Sequence, residues 1–113
     1  MTPIQRYYVY WVHLDPVIGG EIRKTRPAVV ISDGSMNRHL DTVVVCPMTS
    51  RLHPQWPSRV QCELAGRPAE IAMDQIRTFS RRRIGEEVGP VSQEVAAAIR
   101  HVITEMYGVL SVE

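Results

Sequence analysis

Residues 42–48 read TVVVCPM, apolar almost throughout. A run of this kind marks a central strand covered on both faces, not one with a wetted side. Such a strand needs pairing partners along both edges and apolar cover above and below, so the other segments are read as candidates for those places. Pro47 has no backbone N–H to offer a neighbour, which predicts a bulge or a sheet edge near the end of the run.

Residues 7–14, YYVYWVHL, are rich in aromatic and β-branched side chains and are punctuated by Asp15-Pro16, giving a first strand with Trp11 in the core; stacking on nucleic-acid bases is the other reading of Trp11 and of Trp56. Gly19-Gly20 then sit in a loop over residues 16–25, able to bend sharply near a ligand. A second strand covers residues 28–32, and a turn with a short helix is expected around Ser35, Met36, Asn37 and Arg38. Residues 51–57, with Trp56 between Pro54 and Pro57, read as an irregular loop. Residues 59–64 alternate polar with apolar, as a half-exposed strand does. A turn at Gly66-Arg67-Pro68 leads into residues 69–79, AEIAMDQIRTF, read as one strand with a helix as the alternative. Arg81-Arg82-Arg83 fits a short turn or strand before Ile84-Gly85.

The last element has a different period. Val91, Val95, Ile99, Val102, Ile103 and Met106 recur at helical spacing, with Ser92 as N-cap, Glu94 in the first turn and Gly108 as the stop. The chain is therefore mainly β with one C-terminal α-helix packed on a small antiparallel, barrel-like sheet. With 113 residues it can bury one core but not two, so residues 1–113 are read as a single domain. Cys46 and Cys62 each fall within a strand pattern and have no metal-ligand spacing, so buried free thiols are expected. No apolar run approaches the ~20 residues of a membrane span. The opening MTPIQRYY lacks a signal-peptide pattern, and a cytoplasmic protein without membrane association is expected.

A net charge of +1 excludes a strongly basic nucleic-acid tail, but its distribution is uneven. Residues 1–85 carry 12 Lys and Arg against 7 Asp and Glu, and residues 86–113 carry 1 against 5. Lys24 is the single lysine among the 13 basic residues, so positive charge resides almost wholly in fork-shaped guanidinium groups suited to phosphate or carboxylate. High genomic G+C content gives the same bias.

Three strand ends carry polar groups just beyond apolar runs: Arg26 before AVVIS, Thr49-Ser50-Arg51 after TVVVCPM, and Asp74-Gln75 with Arg77 in AEIAMDQIRTF. Pro27 restrains Arg26 to extended conformations, so its charge is held at the entrance to a strand. A guanidinium, a hydroxyl and a carboxylate converging on one rim would suit phosphoryl chemistry. Each residue also has a structural reading: Arg26 paired with Glu21 or Asp15, Thr49-Ser50 as turn chemistry, Asp74 as a satisfied carboxylate. His13, His39, His53 and His101 are too scattered to ligate a metal together and read as surface histidines. The Arg81–Arg83 run reads as a solvated face, with phosphate tracking as the alternative.

The order of pieces adds to this. W-V-x-L-D-P-x-x-G-x-E over residues 11–21, T-R-P-A-V-V-I-S over 25–32, V-V-V-x-P-M-T-S over 43–50 and D-Q-I-R-T over 74–78 together resemble the MazF/PemK family of toxin endoribonucleases. The resemblance implies a homodimer of SH3-like barrels that cuts single-stranded RNA at short sequences, needs no metal or other cofactor, and is neutralised by a cognate antitoxin protein. It implies Arg26 and Thr49 as the catalytic pair, with Glu21, Ser50, Asp74, Gln75 and Arg77 along the RNA. Some relatives carry a histidine or serine where this chain has Gly20, and an arginine where it has Ala72, which places more weight on Arg26 and Thr49. Two other readings of the same barrel are a non-enzymatic gyrase-binding toxin like CcdB and an inactive relative that binds antitoxin.

Overall fold

The structure, a computed structural model, describes residues 3–14 and 25–108. Its strands are β1 (Tyr8–His13), β2 (Thr25–Val30), β3 (Thr42–Thr49), β4 (Arg59–Leu64), β5 (Arg67–Ala72), β6 (Arg77–Ser80) and β7 (Ile84–Pro90). Helix α1 (Gly34–His39) joins β2 to β3, and α2 (Gln93–Tyr107) closes the described chain. Single 3-10 turns at Met73–Gln75 and Arg81–Arg83 flank β6. All pairings are antiparallel, in the order β4-β5-β3-β2-β1-β7. The fold is the expected mainly β half-barrel with a C-terminal helix. Among the described residues no helix is long and apolar enough to cross a membrane.

The apolar run does form the central strand. One edge of β3 pairs with β2, while the other is divided between two partners: residues 42–45 pair with β6, and Met48 and Thr49 pair with β5. Cys46 and Pro47 lie at the changeover, where neither partner is in register. Pro47 therefore neither ends the strand nor marks a sheet edge; its missing donor falls where that edge changes partner. This division curls the sheet, because β5 and β6 leave the same edge in different directions.

Both faces of β3 are covered. Cys46 and Met48 join Val9, Val29, Ile71, Met73, Ile99 and Val102 in a cluster beneath α2, and Val43 and Val45 join Tyr10, Val12, Val30 and Phe79 in a second cluster. Burying each such side chain contributes about 1.5–3 kcal/mol. Both cysteines are free, Cys46 buried and Cys62 half-buried. Burial pushes the Cys46 thiol up to about 12 and the Cys62 thiol up to about 11.

The terminal helix follows its sequence signals closely. Ser92 Oγ accepts the Val95 N–H at 3.1 Å, and the helix buries Ala96, Ile99 and Val102. At its end the Gly108 N–H bonds the Thr104 carbonyl at 2.9 Å, a close approach that a Cβ, 2.4 Å from that oxygen, would block.

Three expectations are corrected. Trp11 is 38% exposed: Tyr10 and Val12 point into the second cluster, so strand alternation turns Trp11 to the other side. The hairpin turn is Ala65-Gly66, both with positive φ, and Arg67 and Pro68 already pair with Leu64 and Glu63 inside β5. Residues 69–79 are neither one strand nor a helix, since the Met73–Gln75 turn divides them into β5 and β6. Strand β2 also begins earlier than expected, so Arg26 lies within it.

Candidate active site

The ladder between β2 and β3 runs Val30↔Val45, Val29↔Cys46 and Ala28↔Pro47. The ladder ends at Ala28↔Pro47, and Arg26 and Thr49 each follow two residues outward from that last pair, at the same end of the two strands. On its other edge Arg26 pairs with Val12 of β1, and Thr49 pairs with Glu70 of β5. Each backbone is thus fixed by a strand partner, although the Arg26 side chain itself is exposed. Among the described residues none pairs with its guanidinium.

Arg26 and Thr49 line two clefts at once. The larger, about 770 Å³, is completed by Arg51, His53, Trp56, Arg59, Gln75 and Arg77. The smaller, about 290 Å³, adds Ser50 and Arg67. Thr49 Oγ1 accepts the Arg51 backbone N–H at 3.1 Å, which occupies an acceptor position and leaves the hydroxyl proton to donate outward. Arg77 lies with its Cζ 4.2 Å from the Phe79 ring centre, which holds that long side chain along the cleft wall.

Next to Thr49 in the sheet, Glu70 is fully buried. Its carboxylate accepts from the His53 backbone N–H at 2.5 Å, from Arg59 Nη1 at 2.5 Å and from Gln61 Nε2 at 2.9 Å, and it meets His53 Nδ1 at 3.0 Å. Burial alone would raise its pKa, but these donors outweigh burial and hold the carboxyl at about 2. An ionised Glu70 accepts only, so His53 Nδ1 carries its proton towards it. Arg59 uses a second nitrogen, Nε, to bond Asp74 at 2.8 Å. For Asp74, too, desolvation is outweighed by the Arg59 hydrogen bond, and its carboxyl is held below the usual carboxylate range.

Of the residues singled out in the sequence, Arg26, Thr49, Gln75 and Arg77 line the larger cleft, and Ser50 lines the smaller one with Arg26 and Thr49. Asp74 lines neither and is bound by Arg59. Glu21 and the Gly19-Gly20 loop lie outside the described residues. Among the described residues no three His, Cys, Asp or Glu side chains gather as a metal-ligand set. Sequence reading passed over His53 as a surface residue, and did not single out Arg59, Arg67 or Glu70. The one available signal was Glu70 itself, an acid inside the apolar run AEIAM.

Comparison with known proteins bears on the whole chain. Residues 5–107 match the family model described as PemK-like, MazF-like toxin of type II toxin-antitoxin system. Among solved structures, MazF from Deinococcus radiodurans is 24% identical, with a TM-score of 0.78 over 96% of this chain and 100% of that one. A MazE–MazF structure from the same organism is 24% identical, with a TM-score of 0.80 over 97% and 100%. An endoribonuclease in complex with its cognate antitoxin from a mycobacterial species is 21% identical, with a TM-score of 0.76 over 99% and 100%. At these identities the structural likeness is one of fold.

Proposed function

The chain belongs to the PemK-like, MazF-like toxins of type II toxin-antitoxin systems, and from that membership we propose that it is a sequence-specific endoribonuclease of single-stranded RNA, with Arg26 and Thr49 as its catalytic pair. The observation that supports this reading is that Arg26 and Thr49 both line each of two arginine-bearing clefts. A phosphodiester seated on that rim would extend one flank into each cleft.

RNA supplies its own nucleophile, so the protein has to align and stabilise more than it has to attack. The 2′-oxygen loses its proton and bonds to phosphorus, and the P–O5′ bond breaks as the 5′-oxygen takes up a proton. The products are a 2′,3′-cyclic phosphate and a 5′-hydroxyl. Arg26 places a planar cation against the equatorial oxygens where charge grows in the phosphorane. Thr49 donates its hydroxyl to one of those oxygens and so fixes the in-line geometry. Asp74 is poorly suited to take the 2′ proton, since Arg59 holds it ionised and weakly basic. Guanidinium groups supply the charge stabilisation, and cleavage without metal is the expected outcome.

The same reading covers residues 1–113 as one toxin domain acting in the cytoplasm as a homodimer. Solved relatives include a MazE–MazF pair and an endoribonuclease with its cognate antitoxin, which supports an antitoxin partner here. A rim built for a polyanion also attracts an acidic, disordered segment that folds as it binds.

The test is incubation of the purified protein with long RNA in excess EDTA, with end-group analysis of the fragments. Discrete cuts ending in cyclic phosphate, lost in Arg26→Ala, are expected. Intact RNA across varied sequences, or equal cutting by Arg26→Ala, sinks the proposal.

A further inference from the structure

The loop between β3 and β4 holds a tryptophan in a way that packing alone does not explain. Its first tie is the buried Glu70 carboxylate, which takes the His53 backbone N–H and the Arg59 guanidinium from the loop's two sides. Two backbone turns complete the frame, Trp56 N–H to the His53 carbonyl at 3.0 Å and Arg59 N–H to the Trp56 carbonyl at 3.1 Å. Pro54 and Pro57 restrict what remains. A loop tied in this way presents its side chains in fixed positions.

Within that frame the His53 imidazole stacks on the Trp56 indole, with ring centres 3.9 Å apart and planes inclined by 22°. The Arg59 Cζ lies 4.7 Å from the indole centre. Arg59 Nη1 is also 3.3 Å from His53 Nδ1. The imidazole and the guanidinium must then share one face of the indole, because a ring between them would hold them too far apart to touch. Among the described residues no other aromatic ring or cation stacks on the indole, and Trp56 is 48% exposed. The ring is backed by two polar groups, and about half of the residue is left exposed.

That ring lines the larger cleft together with Arg26 and Thr49. A flat, rigid π surface beside cationic groups matches an unpaired nucleobase whose phosphates are held by arginine. We infer that the open face of Trp56 is a stacking platform for one base of the RNA next to the scissile phosphate, and that His53, Arg59 and Glu70 are positioning residues that hold the indole for it. This rests on the ribonuclease reading above. An aromatic side chain of a protein partner is the competing occupant; the arginines around Trp56 favour the polyanion.

The experiment uses the full chain with Trp11→Phe, so that Trp56 is the only tryptophan of the two in the sequence. An RNA oligonucleotide spanning a mapped cut, with 2′-O-methyl at the cut, is titrated while indole fluorescence is read. Quenching that saturates with binding is expected. In cleavage assays Trp56→Ala should raise KM about tenfold, within the range that base–aromatic stacking gives, with kcat changed far less. Trp56→Phe should retain most of the affinity. An abasic nucleotide walked along the substrate should cost the wild type at one position and cost Trp56→Ala nothing there, a pattern that a merely loosened loop would not produce. Unchanged KM, unchanged cut sites and unquenched fluorescence would overturn the platform. So would a Trp56→Ala protein that cuts normally but loses affinity for an antitoxin peptide. Should Trp56→Ala fail to fold by circular dichroism, the abasic walk on wild type and Trp56→Phe decides, because a platform predicts one position whose penalty is smaller in Trp56→Phe than in wild type, and its absence predicts equal penalties at every position. A wild type that cuts no RNA refutes the ribonuclease reading instead, so the two failures are distinguishable.

Discussion

Arg26 and Glu70 are both charged residues in strands next to Thr49, and they do opposite work. Arg26 is exposed and among the described residues has no ionic partner, so its removal should leave the fold intact and act on the transition state. Arg26→Ala is expected to lower kcat by about 10²–10³, the effect of deleting one oxyanion donor, and Thr49→Ala by about tenfold, both read in single-turnover RNA cleavage. Glu70 is fully buried, and Glu70→Ala would strand the Arg59 cation and the loop N–H, destabilising by about 3–5 kcal/mol in urea unfolding. The pH dependence follows from its depressed carboxyl, at about 2 when folded against 4.5 normally. The unfolded chain binds the proton first, so this stabilisation is complete above about pH 4.5 and is lost as pH falls towards 2. Urea midpoints of wild type and Glu70→Gln should therefore converge across that window; midpoints that stay parallel would contradict the account. Arg26 and Thr49 stand out in the sequence as polar groups at strand ends, one of them fixed by a proline. Glu70 could not, because a lone acid in a run such as AEIAM takes its meaning from donors that arrive from elsewhere.

The helix α2 and the β5–β6 segment show why some elements are readable and others are not. Every signal that defines α2 is local: Ser92 caps Val95, the apolar spacing faces the core, and Gly108 stops the last turn. Ser92→Ala should cost about 1 kcal/mol, and Ile99→Ala, at a fully buried site, about 2–5 kcal/mol, both measurable by chemical denaturation. A smaller loss for Ile99 than for Ser92 would mean that the helix is not docked as described. In residues 69–79 the boundary is set by where pairing ends. The Met73 N–H goes to the Ser58 carbonyl at 3.0 Å, one step beyond the Arg59↔Ala72 pair, and the Ile76 N–H then closes the turn on the Met73 carbonyl at 3.3 Å. Nothing in MDQ announces a 3-10 turn, and a strand pattern continues on both sides of it. Trp11 belongs with these cases, since alternation assigns it to a face but not whether that face is covered.

Taken whole, the molecule separates its charge, with the arginines concentrated in residues 1–85 and the acids dominating residues 86–113. If the arginine-lined clefts hold RNA, affinity should fall steeply with salt through counterion release. Plotting log Kd against log NaCl for a non-cleavable RNA, Arg77→Ala should flatten the slope by about 0.7, the share of one single-strand phosphate contact, and weaken all sequences alike. An unchanged slope would remove Arg77 from the RNA path. The chain's own order of residues was enough to specify most strands, the capped helix, the buried central run and the polar groups at strand ends, because those depend on periodicity and on proline, glycine and serine acting within a few residues. It could not specify that β3 would change partners at Pro47, that His53 would bind a carboxylate 17 residues away, or that a half-exposed indole would line one cleft with Arg26 and Thr49. Those depend on which strands share an edge and in what register, and only the assembled sheet, whose pairings join distant segments, decides that.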